Sequence, residues 1–222
     1  MCGNIVLLVV AHPDDELIWF YRSIRYYQNH GFKILLYCFR IDNSVRFGEL
    51  RNSCRQNNIY LTNDVSCNSY NFDACSFAKV IEKEKPKIIL THSPWGNASF
   101  HREHRKCWEI SNAFCRNKHI HLSHTILVDQ NSVLFKSDRS SKYYYLAFNE
   151  MTSSGLSRQF RSKIRAFFLM VLSIIKYRHS NILMLGSGAT GLYKAFHLYN
   201  SQNLSGYTPL SDKIEYLVEL DL

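Results

Sequence analysis

A continuous apolar run, Ile5-Val6-Leu7-Leu8-Val9-Val10, stops abruptly at the polar cluster Ala11-His12-Pro13-Asp14-Asp15-Glu16. Nothing else in the chain constrains the fold as tightly. A short unbroken apolar run bounded by polar residues reads as a strand covered on both faces, the habit of parallel sheets in α/β proteins. A histidine and three acids at the exit of that strand lie where open α/β sheets place their ligands.

The pattern after it supports the same architecture. Residues 17–30 carry Ile18, Tyr21 and Ile24 at helical spacing and close at Gly31. Residues 33–39 form a second apolar strand, 45–57 a helix, 63–71 a turn-rich stretch, and 74–84 a helix ended by Pro86. A short buried strand follows at 88–91, then the loop Ser93-Pro94-Trp95-Gly96-Asn97, a helix from about 101 to 115, and a strand at 125–128. Residues 143–148 read as a further strand or edge. Strands alternating with helices predict an α/β fold, a mostly parallel sheet with helices on both faces. At 222 residues, 46% of them hydrophobic, the chain is expected to form a single domain over 1–222.

Composition narrows the setting. The first apolar run has no basic flank before it and ends in acids, so it reads as a strand and not as a signal peptide. The seven cysteines, at 2, 38, 54, 67, 75, 107 and 115, are odd in number and scattered. They predict reduced thiols in a cytoplasmic protein, and without a CxxC pair they predict no cysteine-rich zinc site. The net charge of +9 is uneven: between 151 and 211 there is no Asp or Glu, while Arg158, Arg161, Lys163, Arg165, Lys176, Arg178 and Lys194 contribute +7. Such a face favours phosphates or anionic head groups, with plain solvation as the alternative. Nucleic acid is not expected, because the charges are not interleaved with stacking aromatics in a known binding motif. Residues 166–175 are apolar apart from Ser173, between basic flanks. About 15 Å of helix is too short for a bilayer core of about 30 Å. The segment is a core helix or, in the sharper reading, a peripheral membrane contact through 156–178.

The chemistry sits in the polar clusters. A catalytic zinc needs three protein ligands and an open position. His12 and Asp15 supply an imidazole and a carboxylate, and Asp14 a carboxylate free to act as a base. The third ligand should leave another strand's carboxyl end. Thr91-His92-Ser93-Pro94-Trp95-Gly96 does so and leads to His101-Arg102-Glu103-His104, with two histidines three apart at a helix start. His92 is open between a partner of the site and a loop histidine. Glu16 is open between orienting a ligand and serving as a first-turn acid. His119, His121 and His124 read as a surface turn and strand start. Gly186-Ser187-Gly188-Ala189-Thr190-Gly191 fits the dinucleotide-binding GxGxxG. It comes late in the chain, however, and reads instead as a flexible loop beside the site.

These motifs together resemble the zinc-dependent sugar N-deacetylase family that includes the GlcNAc-phosphatidylinositol deacetylases and the mycothiol and bacillithiol pathway deacetylases. The resemblance rests on AHPDDE at 11–16, Arg46-Phe47-Gly48-Glu49-Leu50, the His-x-Asp/Glu-His at 101–104, and Ala195-Phe196-His197-Leu198-Tyr199-Asn200-Ser201-Gln202, in the family's order. It implies a Rossmann-like three-layer sandwich with its site above the carboxyl edge of the sheet. It also implies His12, Asp15 and His104 as ligands of Zn²⁺, with Fe²⁺ or Co²⁺ as alternatives for such an O/N set. Asp14 becomes the general base that activates water, and His101 the group that steadies the oxyanion and protonates the departing amine. Arg46 becomes a substrate anchor. Trp95, read from its place in the loop after the strand at 88–91, is open between walling the substrate pocket and simply packing.

Two departures bear on substrate choice. Phe39-Arg40-Ile41-Asp42-Asn43 stands where relatives often carry Thr-x-Gly, and Asn97-Ala98-Ser99-Phe100 lacks the Gly-Glu-Tyr-Gly-like stretch of some bacterial relatives. The implied activity is hydrolysis of the acetamide of an N-acetylated amino sugar such as N-acetylglucosamine, free or carried on a phosphate-bearing nucleotide or lipid, in polysaccharide biosynthesis. Two alternatives remain: a non-catalytic sugar- or nucleotide-binding protein on the same scaffold, and an amidohydrolase of a non-sugar amide. Cytoplasm, with a position at the membrane surface, is the expected location.

Overall fold

The structure is a computed structural model that describes residues 3–41, 43–62, 72–97, 101–129, 168, 171–172, 181–187, 189–199, 201 and 213–220. The expected turn at 63–71, the strand at 143–148 and most of 156–178 lie outside the described residues. The elements run β1 (Ile5–Val10), α1 (Asp15–Ile18), α2 (Tyr21–Asn29), β2 (Lys33–Cys38), α3 (Ser44–Gln56), β3 (Tyr60–Leu61), α4 (Ala74–Glu84) and β4 (Ile88–Thr91). After these come α5 (Arg102–Lys118), β5 (His121–Asp129), β6 (Asn181–Ser187), α6 (Ala189–Leu198) and β7 (Lys213–Leu220).

The sheet has seven strands in the order β3-β2-β1-β4-β5-β7-β6. β1 pairs in parallel with β2 on one side and β4 on the other. The chain therefore winds outward from β1 in both directions, and the crevice at its carboxyl end is the topological switch point. β3 and β5 extend the parallel array, whereas β7 runs antiparallel between β5 and β6. This mostly parallel α/β sheet is the expected fold class.

Helices cover both faces, and β1 shows why its apolar run has no gaps. Val6, Leu8 and Val10 enter one core with residues of α1, α2, α3 and α6. Leu7 and Val9 enter the other, with Phe77 and Ile81 of α4 and Cys107, Trp108 and Cys115 of α5. Alternate residues of a strand face opposite ways, so a three-layer sandwich needs apolar residues at every position. Leu7 and Leu8 are wholly buried, and each burial contributes about 2 kcal/mol.

Several expectations change in detail. The helix expected over 17–30 is two helices, broken at Trp19 and Phe20. A straight helix turns successive side chains by about 100°. The break lets both of these buried rings reach the site, Trp19 edge-on to His104 and Phe20 edge-on to His92. The strand expected at 125–128 is longer, His121–Asp129, because β7 pairs along its length from Leu122 to Asp129. His121 is the first residue of that strand, as expected, whereas His124 lies well inside it. His124 is fully buried between the edges of Trp95 and Trp108, and His119 is the left-handed residue that ends α5.

The GxGxxG run spans the end of β6 and the start of α6. Its last glycine is a packing residue: a Cβ on Gly191 would lie 2.2 Å from the carbonyl oxygen of Leu17. That contact seats α6 against α1 and makes the region a packed joint, not a loose loop. Of 156–178, Phe168, Val171 and Leu172 are described as helical. Val171 packs on the second core, while Phe168 and Leu172 are 61% and 62% exposed. Among the described residues no helix is long and apolar enough to cross a membrane.

Candidate active site

The chain leaves β1 at Val10 and turns at once. Asp14 takes φ 100°, ψ −30°, a region that side chains other than glycine rarely enter and that costs of order 1–3 kcal/mol. Two side-chain contacts hold the turn. Asp15 Oδ2 accepts the His12 backbone N–H at 2.8 Å, and Glu16 Oε2 accepts the Asp14 N–H at 3.1 Å. The result buries three consecutive carboxyl groups, 5%, 2% and 0% exposed.

β4 delivers the other half. Its carboxyl end carries His92, whose Nδ1 lies 2.7 Å from Asn97 Oδ1 and whose Nε2 lies 3.3 Å from Asp15 Oδ2. Asn97 holds this loop through its N–H to Ser93 Oγ, 2.7 Å, and adopts φ 58°. The loop then enters α5 at His101. His104, one turn in, stacks on His92 with ring centroids 3.8 Å apart and presents Nε2 to Asp15 Oδ1 at 3.3 Å. His12 faces this pair from β1, its Nδ1 3.5 Å from Asp15 Oδ2. Its Nε2 meets Glu103 Oε2 at 2.5 Å, and Arg40 Nη1 holds the other Glu103 oxygen at 2.7 Å. His101 lies over His12 and His104, at 5.0 and 4.9 Å between ring centroids.

Two sets of three side chains bring potential ligand atoms within 4.8 Å of one another: His12, His101 and His104, and Asp15, His92 and His104. His104 is in both. A divalent cation fits this neighbourhood on two grounds. Among the described residues, the buried His104 Nδ1 has no hydrogen-bond partner, an orphan that buried polar groups seldom leave. Asp14, Asp15 and Glu16 also concentrate acidic groups out of water, which favours a nearby cation.

The electrostatics divide these groups. Burial opposes the charge on His12, but Asp15 and Glu103 outweigh it and raise its pKa to about 9. Burial and the neighbouring His92 push His104 down to about 3, so it is a neutral imidazole. Burial acts to raise Asp15, yet His104 and His92 hold it well below the usual carboxylate range. Asp14 moves the opposite way, raised by burial and by the charges of Asp15 and Glu16, with Arg46 and His12 opposing. Burial lowers His101, aided by the charge on His12.

The structure thus gathers His12, Asp14, Asp15, His101 and His104 around one crevice. Arg46 enters from α3, donating from Nη2 to the Pro13 carbonyl at 3.3 Å. Trp95 does not line the crevice: it is fully buried in the second core, with no surface to offer a substrate. The sequence reading did not single out Glu103 and Arg40. The signal for them was present, since Glu103 lies inside the His-x-Asp/Glu-His motif and Arg40 at the exit of β2. Only the sheet order, which sets β2 beside β1, brings them together.

Comparison with known proteins places the chain among deacetylase-like folds. Residues 7–115 match the family described as PIG-L, GlcNAc-PI de-N-acetylase. Among solved structures, a triple mutant of a deacetylase of the teicoplanin biosynthetic pathway resembles the chain with TM-score 0.57 and 10% identity, covering 97% of each chain. A deacetylase–teicoplanin complex resembles it with TM-score 0.52 and 10% identity, again covering 97% of each. At such identity these two likenesses speak for the fold. No curated protein matches the sequence.

Proposed function

We propose, on the premise that residues 7–115 belong to the GlcNAc-PI de-N-acetylase (PIG-L) family, that this chain hydrolyses the acetamide of an N-acetylated amino sugar to acetate and a free amine. One observation carries the reading: the turn after β1 and the start of α5 bring His12, Asp15, His101 and His104 together, with the Asp14 carboxyl close enough to feel the charges of Asp15 and His12. In this reading His12, Asp15 and His104 hold the metal, zinc or another divalent ion. When bound, it supplies a Lewis acid that polarises the acetamide carbonyl and acidifies water.

The protein's own groups do the rest. Asp14 takes the proton of the attacking water, and its raised proton affinity suits it to that role. The C–N bond breaks as the departing nitrogen takes up the proton that Asp14 drew from the water, passed on through His101, a neutral imidazole and the most exposed of the cluster at 46%. His92, fixed by Asn97, holds Asp15 in place. Arg46 stands at the rim to meet polar or phosphate groups of the substrate.

The basic stretch 151–211 supports a phosphate-bearing or lipid-linked carrier and a cytoplasmic site of action at a membrane surface. The exposed Phe168 and Leu172 are consistent with peripheral contact there. The test is acetate release from a panel of N-acetyl sugars, free, UDP-linked and polyprenyl-diphosphate-linked, before and after chelation and zinc return. Chelator-sensitive release from one class is expected. A protein that binds metal and sugar but releases no acetate from any member would be a binding protein on this scaffold. Release from non-sugar amides alone would make it a different amidohydrolase.

A further inference from the structure

Glu16 is a buried carboxyl group outside the ligand set whose partners come from three separate parts of the chain. Its side chain is wholly buried. Oε1 accepts the Ser53 hydroxyl of α3 at 2.6 Å and the Tyr199 hydroxyl, just beyond α6, at 2.5 Å. Oε2 accepts the backbone N–H of Asp14 at 3.1 Å. Tyr199 is itself only 1% exposed, and two neighbouring contacts fix its approach. Gly191 seats the start of α6 against Leu17 and Tyr21. Ser201 donates its N–H and hydroxyl to the two oxygens of Glu49, at 2.7 and 2.5 Å.

Asp14 needs such support. Its φ of 100° is strained, and a strained turn persists only where its surroundings over-determine it. Glu16 is the side chain that grips the N–H of that residue, and Ser53 and Tyr199 are what keep Glu16 from swinging away. Tyr199 also lies outside the 7–115 segment that matches the family, so the late part of the chain reaches back to the catalytic turn.

We propose that Ser53 and Tyr199 are positioning residues that act through Glu16 to hold the Asp14 backbone, and so the base, in its working orientation. This rests on Asp14 being the base of the proposed deacetylation. Neither hydroxyl touches substrate, so their loss should slow turnover without weakening substrate binding. A carboxylate can serve both sides of the bridge at once. Glu16→Leu keeps much of the volume and removes every acceptor, so the Asp14 N–H and the two hydroxyls all lose their partner.

The experiment uses the full chain loaded with zinc. For Tyr199→Phe and Ser53→Ala singly, kcat should fall about three- to tenfold, the scale of one lost hydrogen bond, with KM and zinc content unchanged. The double variant and Glu16→Leu should fall further. Hydrogen exchange of the peptide spanning 11–18 should quicken in each variant. Tyr27→Phe serves as a control: it loses buried hydroxyl contacts to Ser123 and Glu219, remote from the site, and should change neither readout.

Unchanged kcat and unchanged exchange in the double variant would overturn the proposal. So would an equal loss in Tyr27→Phe, which would mark a general stability effect. Exchange does not depend on activity. Faster exchange in a protein whose unmodified form releases no acetate would therefore refute the deacetylase reading and leave the bridge standing.

Discussion

The two histidines that face Asp15 from opposite strands could hardly be prepared more differently. His104, on the β4 side, is 3% exposed, stacked on His92, and held neutral with a pKa near 3. His12, on the β1 side, is 15% exposed, paired with Asp15 and Glu103, and held cationic up to about 9. One side of the crevice presents a neutral imidazole, and the other must surrender a proton before it can ligate. The difference teaches that burial beside another histidine keeps an imidazole neutral, whereas a half-open histidine beside two carboxylates is first a cation. In the proposed ligand set the inner histidine is ready for a metal, and the outer one exchanges its proton for it.

The sharpest way to break this division is to remove the inner side. Asp15→Ala or His104→Ala should abolish zinc binding at micromolar metal and reduce acetate release to background, a loss of more than about 10³-fold. Metal analysis after desalting checks it: zinc retained in Asp15→Ala would move the ligand set to His12, His101 and His104, and zinc retained in His104→Ala would exclude both sets. Asp14→Asn asks the complementary question. It should lower kcat by about 10²- to 10⁴-fold while zinc content stays at the unmodified level. A loss of metal in that variant would make Asp14 a ligand and erase the distinction between Asp14 and Asp15.

That distinction was legible in the sequence only in part. AHPDDE names a histidine and two aspartates, and the resemblance of its context divides their roles. The strand before it shows the parallel sheet, because Val6 to Val10 serve two cores at once. Hidden from the sequence were features that depend on which strands become neighbours. Arg40 and Glu103 are 63 residues apart, and their pairing follows from β2 lying beside β1 and α5 following β4. Trp95 reads from its loop position as either a pocket wall or a packing residue, and only the path of the loop decides for packing, with the ring against His124 of β5. The break at Trp19 was equally invisible, since an aromatic-rich helical period continues through it and only the demand of two rings for one crevice interrupts it.

The contrast between the histidines also predicts a pH dependence. Below about 9 metal-free His12 carries a proton, and binding a metal expels it. Zinc affinity should therefore rise with pH, by up to about tenfold per unit between pH 7 and 9, and flatten above that. His104 contributes nothing to the slope, because it is neutral throughout this range. Competition with a chelator of known pH behaviour measures it. Glu103→Gln removes one of the two carboxylates that hold the proton on His12, so the plateau should begin at lower pH. An unchanged plateau would mean that Asp15 alone charges His12.

The smallest effect belongs to Arg40, at the outermost end of the same chain of contacts. Its guanidinium is 33% exposed and meets a Glu103 side chain that is 20% exposed, so the pair is partly screened. Exposed ion pairs contribute about 0–1 kcal/mol. Arg40→Gln should then lower kcat/KM on a neutral N-acetyl sugar by no more than about fivefold, with zinc affinity unchanged. The guanidinium stands where relatives often carry a small Thr-x-Gly turn, so its charge is a feature of this chain's rim. If Arg40 also attracts the carrier phosphate, the loss on a UDP-linked sugar should exceed the loss on the free sugar and shrink as salt is raised. Equal losses at every salt concentration would confine Arg40 to steadying Glu103, and with it His12, on the outer side.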